Sequence, residues 1–298
     1  MRRLVVTADD LGICPETNAA VELAHRDGIV TSASVMTNMP AFPDAVAMLR
    51  RNPELGGGIH LVLTSGRPVS PPDRIPLLVD RCGMFRHGFG SLCRLVLGRR
   101  RVAARDQIHR EFTAQIDAAL DAGLSIDHLD SHRHVHMIPG IWPVVVSLAA
   151  DYGCAFVRIA DERISRRGML QRNGLKTLTL RVAARMNHRL PQQRLQGFAG
   201  LADSGAVTAP ALYRLLPALP QGTTEIVTHP GLPLKSPSLS TLSCAPIDRA
   251  FLQSSGREAE LAALVDPDVR RAVETERIEL GSFRRFSGDA AVRSQVGA

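Results

Sequence analysis

Residues 4–36 read Leu-Val-Val-Thr-Ala-Asp-Asp-Leu-Gly-Ile-Cys-Pro-Glu-Thr-Asn-Ala-Ala-Val-Glu-Leu-Ala-His-Arg-Asp-Gly-Ile-Val-Thr-Ser-Ala-Ser-Val-Met. The apolar run Leu4–Thr7 is the signature of a buried strand. Pro15–Asp27 follows as a helix, with proline near its start and Gly28 just past its end. Val30–Met36 is a second strand, so the stretch is a strand–helix–strand crossover of the kind that joins parallel neighbours. Outward from it the alternation continues. Ala41–Arg51 is a helix, Gly58–Leu63 a strand, and Thr64–His87 a long loop rich in Pro and Arg. Val102–Ala122 is a periodic helix ended by Gly123. Ile126–Leu129, Phe156–Ile159, Glu225–Thr228 and Ile278–Leu280 are further strands, with a helix at Ile141–Tyr152. Seven or eight strands separated by helices predict an α/β fold, a (β/α) TIM-like barrel rather than an open sheet. The 298 residues suffice for one such domain spanning residues 1–298, with a basic helical segment near 163–194.

Composition narrows the class. No window holds eighteen consecutive apolar residues, so no membrane-spanning helix is expected. Only Leu4–Val6 are strongly apolar between Arg2-Arg3 and Asp9-Asp10, too short for the apolar region of a signal peptide, and a cytoplasmic location is expected. The five cysteines are scattered and form no Cys-x-x-Cys pair, which argues for inert thiols rather than a disulfide framework or zinc knuckle. The formal charge is +7, carried by arginine, Lys176 and Lys235 being the two lysines. With aromatics at 4%, stacking platforms are few and no nucleic-acid partner is expected.

In a parallel barrel the C-terminal ends of the strands form one rim, and chemistry sits there. Asp9 and Asp10 follow the first strand; Asp130, His132, His134 and His136 follow the fourth; His229 follows Glu225–Thr228. Adjacent carboxylates repel unless a cation lies between them, although an Asp at a helix start is also a common cap. The segment His128-Leu-Asp-Ser-His-Arg-His-Val-His136 carries four of the chain's ten histidines. Histidine is the commonest ligand for transition metals. If the segment is extended, His132, His134 and His136 share one side, some binding metal and others orienting ligands or facing substrate. His60 lies inside an apolar strand, where a lone His is more often a hydrogen-bonded core residue.

These residues resemble a known family. Thr7–Gly12 (TADDLG), Gly28–Ser32 (GIVTS), Gly58–Thr64 (GIHLVLT), His128–Pro139 (HLDSHRHVHMIP) and Thr228–Gly231 (THPG) match, in order, the motifs of the YdjC-like carbohydrate deacetylases, which include chitooligosaccharide and hopanoid deacetylases. The resemblance implies a deformed (β/α) barrel holding one divalent metal ion, with Asp10, His60 and His132 as ligands. It implies Asp9 as general base, His229 as acid, and Arg158 as a residue that binds substrate or orients the base. His134 is expected to face substrate. More distant NodB-type polysaccharide deacetylases pair ligand histidines four apart; His132 and His136 have that spacing, making His136 the fallback ligand should His60 prove structural. Family resemblance leans to magnesium and the ligand types to zinc.

The expected reaction is hydrolysis of the acetamide of an N-acetylated sugar, an oligosaccharide or a glycolipid. Two rivals stand beside it: a metal phosphoesterase on the same barrel, which needs two metals and more carboxylates, and a non-catalytic barrel binding acetylated sugars. From Arg163 to Arg194 there are nine basic residues and no acidic one. Arg181, Arg185 and Arg189 stack four apart, while Leu175, Leu178, Val182 and Met186 share another helix face. A second basic apolar patch spans Leu92–Arg101. Such a helix suits peripheral contact with an anionic membrane, at the inner face, or simply an outer barrel position. A homodimer is left open.

Overall fold

A computed structural model describes residues 1–163, 173–187, 195–235 and 244–287. Eight parallel strands form one sheet: β1 (Arg2–Leu11), β2 (Ser32–Val35), β3 (Gly56–Leu61), β4 (His128–Ser131), β5 (Phe156–Val157), β6 (Gly197–Ala199), β7 (Gly222–Thr228) and β8 (Ile278–Leu280). The order across the sheet is β5-β4-β3-β2-β1-β7-β6, with β8 on β1. The helices among the described residues are α1 (Pro15–Arg26), α2 (Phe42–Arg51), α3 (Phe89–Leu97), α4 (Arg101–Asp121), α5 (Trp142–Asp151), α6 (Gly174–Asn187), α7 (Ala209–Leu215), α8 (Pro246–Leu252), α9 (Ser255–Leu264) and α10 (Pro267–Thr275). The expected α/β barrel is what forms, deformed as the resemblance implied: no ladder joins β5 to β6 among the described residues.

The strand β1 is the hub. All of Leu4–Leu11 is buried, as a strand covered on both faces must be. One edge pairs along its length with β7, from Arg2↔Gly222 to Ala8↔Thr228. The other is shared: Arg2–Leu4 pairs with β8 and Thr7–Leu11 with β2. The β2 register slips between Ala8 and Leu11, and Asp10 takes a φ of +66°. Strand alternation would send Asp9 and Asp10 to opposite faces. The slip and the left-handed Asp10 break that alternation, and both carboxylates reach the same rim.

Several sequence expectations shift. β1 continues four residues beyond Thr7, so the Asp pair lies inside the strand, just before its last residue Leu11, rather than following it. The three-residue β6 was not anticipated, being too short for a period to show. The Thr64–His87 loop contains a 3-10 turn, Pro72–Arg74, and a bridge between Val79 and Phe85. The segment after β4 is not extended: His132–Met137 winds in 3-10 turns, with φ near +56° at Arg133 and +55° at His134. The three histidines therefore point in different directions. Of the basic stretch 163–194, α6 and Arg163 are described; Arg166, Arg167, Arg172, Arg189 and Arg194 lie outside the described residues. Gly28 serves close approach, since a Cβ there would stand 2.4 Å from the Leu264 carbonyl oxygen. Most buried apolar side chains form one continuous cluster between sheet and helices.

Candidate metal centre and active site

The rim gathers side chains distant in sequence. Asp9 and Asp10 lie near the end of β1, His60 lies in β3 opposite Asp130 of β4, His132 opens the turn after β4, and His229 follows β7. Asp9, Asp10, His60 and His132 are all buried. His60 Nε2 is 3.6 Å and His132 Nδ1 3.1 Å from the same oxygen, Oδ1 of Asp10. The far nitrogens of the two rings are also held. His60 Nδ1 meets Asp130 Oδ1 at 2.8 Å, and His132 Nε2 meets Asp248 Oδ1 at 3.0 Å. Asp248, from α8, also accepts from Ser65 Oγ at 2.6 Å and from Arg133.

This donor set fits a divalent cation. A neutral imidazole whose outer N–H is donated to a carboxylate must present its lone pair at the other nitrogen. In both rings that nitrogen faces Asp10. One carboxylate and two imidazoles leave coordination positions open, as a catalytic site needs. With protein groups alone, the rings themselves meet the surplus negative charge. Burial disfavours a charged His132, but Asp248 and the hydrogen bonds to Asp10 and Asp248 outweigh it and push the pKa up to about 9. For His60 burial is likewise overcome, by the charges of Asp130 and Asp9, and its pKa is raised. Burial would raise Asp10, yet the His132 hydrogen bond and the charges of His132 and Arg257 hold it well below the carboxylate range.

A second trio, Asp9, His60 and Asp130, also brings its ligand atoms together. Its space is claimed by a cation already present. Arg158 makes paired contacts of 2.7 and 2.8 Å with Asp9, meets Asp130 at 2.5 Å, and reaches Glu225 of β7 at 2.7 Å. Its side chain is fully buried. Three carboxylates would not tolerate one another at this depth without the guanidinium. Of the two roles expected for Arg158, this geometry matches orientation of Asp9; no part of the guanidinium is exposed to a substrate.

His229 Nε2 stands 4.0 Å from Asp9 Oδ2. Its backbone N–H donates to Glu260 of α9, which also accepts from Gly205 and Val207. Burial draws the His229 pKa down to about 4, against the opposing pull of Asp9 and Asp10. Its Nδ1 is buried without a hydrogen-bond partner. The same holds for Nδ1 of His134, a residue that burial keeps neutral and that Phe198 meets edge-on. These two nitrogens are among the buried side-chain polar atoms left without a hydrogen-bond partner. His136 is occupied: Nδ1 contacts Ser131 Oγ at 2.5 Å and Nε2 the Arg158 carbonyl at 2.9 Å. Both ring nitrogens of the fallback ligand are thus engaged within the protein.

Sequence reading missed Asp248, Arg257, Glu225 and Glu260. Arg257, almost fully buried, donates to Asp10 Oδ2 at 3.1 Å, to Thr17 and to the Pro230 carbonyl. Asp248 and Arg257 lie in short helices where acids and bases are ordinary surface choices, so they carried no signal. Glu225 did carry one: it is a lone acid inside the buried run of β7.

A (β/α) rim with one Asp–His–His group beside an Asp–Arg pair is the arrangement of a metal hydrolase. The chain belongs to the YdjC-like protein family, whose model matches residues 3–275. It is similar to a carbohydrate deacetylase of Brevibacillus brevis, 32% identical with 94% of this chain and 98% of that one covered. A chitooligosaccharide deacetylase of Salmonella paratyphi B is 29% identical over 95% and 98%. A crystal structure of an Enterococcus faecalis V583 protein, provisionally described as a cellobiose-phosphate cleavage protein, superposes with a TM-score of 0.72 at 24% identity. It covers 96% of this chain and 98% of its own, and shares the fold. No helix among the described residues is long and apolar enough to cross a membrane.

Proposed function

We propose that this protein hydrolyses the acetamide of an N-acetylated sugar, releasing acetate and leaving the free amine, with Asp10, His60 and His132 holding one divalent cation. The observation that carries the reading is the aim of His60 Nε2 and His132 Nδ1 at one Asp10 oxygen, with Asp9 alongside. The named activities of the relatives support it. When bound, the cation supplies Lewis acidity to the attacking water and the acetyl carbonyl. Asp9, fixed by the two Arg158 contacts, takes the proton from that water. His229 is neutral at rest and 4.0 Å from Asp9. It receives this proton and gives it to the departing nitrogen, which an imidazolium of such low pKa does readily. His134 offers its free Nδ1 to the sugar. Two imidazoles and a carboxylate suit zinc by donor softness. Arg158 filling the Asp9–Asp130 space disfavours the two-metal phosphoesterase.

The test is acetate release from N-acetylglucosamine oligomers by protein stripped of metal and reconstituted in turn with zinc, magnesium, manganese and cobalt. The reading expects turnover that returns with one bound ion per chain. Hydrolysis of phosphate esters with no acetate released would overturn it.

A further inference from the structure

Helix α6 turns its apolar side outward. Leu175, Leu178, Val182 and Met186 are 78%, 41%, 50% and 62% exposed. Spaced three, four and four apart, they form one stripe along a helix of 14 residues. The opposite side, with Thr177, Leu180, Ala183, Ala184 and Asn187, is buried. An outer helix of a water-facing barrel ordinarily does the reverse, putting charge outward. Basic side chains border the stripe: Arg181, tied to Asp161, and Arg185 on one flank, Lys176 on the other. No acidic residue occurs from Arg163 to Arg194.

A second patch of the same chemistry sits beside the same rim. At the corner between α3 and α4, Leu97 and Val102 are exposed among exposed Arg94, Arg99, Arg100 and Arg101. Both α3 and α6 pack on the His132–Met137 turn that carries the candidate ligand His132. On α6, Asn187 donates to the Met137 carbonyl, and Lys176 acts electrostatically on Asp9 and Asp10. The two patches thus lie on elements that pack against the turn carrying His132.

We infer that this face docks on an anionic phospholipid surface. An apolar stripe edged by arginine matches a bilayer interface, where apolar side chains enter the acyl boundary and guanidinium groups meet phosphate. The charge complements that surface, and the chain's net +7 adds attraction at range. The inference deepens the deacetylase reading, and rests on it, in one respect only: a sugar displayed on such a surface would face the site.

The test uses the full chain and the double variant Leu178→Glu/Val182→Glu, whose side chains are exposed and take no part in the contacts of the candidate site. Vesicles of phosphatidylcholine, alone or mixed with phosphatidylglycerol, are sedimented at low and physiological salt. The wild type should partition onto the mixed vesicles at least about tenfold more strongly than onto phosphatidylcholine, and less as salt rises. The double variant should lose about tenfold in that binding while releasing acetate from soluble oligomers at the wild-type rate. Equal partition onto both vesicles, or none at low salt, overturns the inference. So does a wild-type dimer that the double variant dissociates with no vesicle binding, which would assign the face to a second copy. Vesicle binding without acetate release from any sugar would instead sink the deacetylase reading and leave the docking face standing.

Discussion

At the scale of single residues, Asp9 and Asp10 are neighbours given different work by their partners. Asp9 is clasped by Arg158, and Asp10 is faced by two imidazoles and Arg257. Asp9→Asn removes the proposed base and leaves the proposed ligand trio intact. It should keep the metal and lose about 10²–10⁴-fold in kcat. Asp10→Asn is well matched to the left-handed φ of +66°, which Asn tolerates, so the backbone should hold while metal affinity falls. Metal content by plasma emission alongside kcat separates the two, and an Asp9→Asn protein that is metal-free but otherwise folded would reverse the assignments. Arg158 carries a different burden. Arg158→Met leaves Asp9, Asp130 and Glu225 buried without their common counter-ion and should cost about 3–5 kcal/mol in urea unfolding. A loss below about 1 kcal/mol would mean that the carboxylates find other partners.

At the scale of elements, legibility followed length and period. Strands such as β1 and β7 and the helices α1, α2, α4 and α5 were readable because each is an apolar run or a helical period bounded by Pro or Gly. The run Phe156–Ile159 marked β5, of which two residues pair, whereas the three-residue β6 is set by its neighbours rather than by its own pattern. The proposed ligand trio was legible through strand-end placement for Asp10 and His132. His60 was legible only through family resemblance, because from the residues alone it is a core histidine. The carboxylates behind the rings were harder. Asp248 acts on His132 across 116 positions, and nothing local in a Pro-Ile-Asp-Arg helix start marks it. The winding of the His132–Met137 turn was not legible because its two left-handed residues, Arg133 and His134, are neither Gly nor Asn. Packing against α3, α5 and α6 imposes that shape.

The sheet also builds a titrating contact away from the ligands. His128 of β4 lies on Gly58 of β3, where a Cβ would stand 2.2 Å from its ring. Its Nδ1 meets Asp127 at 2.6 Å and its Nε2 Ser34 of β2 at 2.9 Å. Burial alone would lower its pKa, but the Asp127 hydrogen bond and charge outweigh that and raise it. A raised folded-state pKa means that the native state holds the proton more tightly. The stabilisation is therefore complete below the unfolded value of about 6.5 and is lost as pH climbs through the folded value. The stability gap between wild type and His128→Gln should be widest near pH 6 and shrink toward pH 9 in urea titrations. A gap that grows with pH would show His128 to be neutral.

At the scale of the whole molecule, β1 stands between partners from both ends of the chain: β2 follows it closely, while β7 and β8 arrive about 220 and 276 residues on. Synthesis is vectorial, so β1 emerges from the ribosome long before most of its hydrogen-bonding partners exist. During that interval its Leu4–Leu11 backbone is an unsatisfied edge, and Asp9 awaits an arginine 149 positions downstream. The sheet therefore closes around β1 only after β7 and β8 have been made, and native protection of β1 should appear late. A nascent chain stalled with its exposed portion ending at Leu215 should be cut by protease within β1. One whose exposed portion reaches Phe286 should resist. Early protection at the first stall would mean that β1 is sheltered by something other than its sheet neighbours, and trigger factor or another holdase would be the first candidate to remove from the translation mixture.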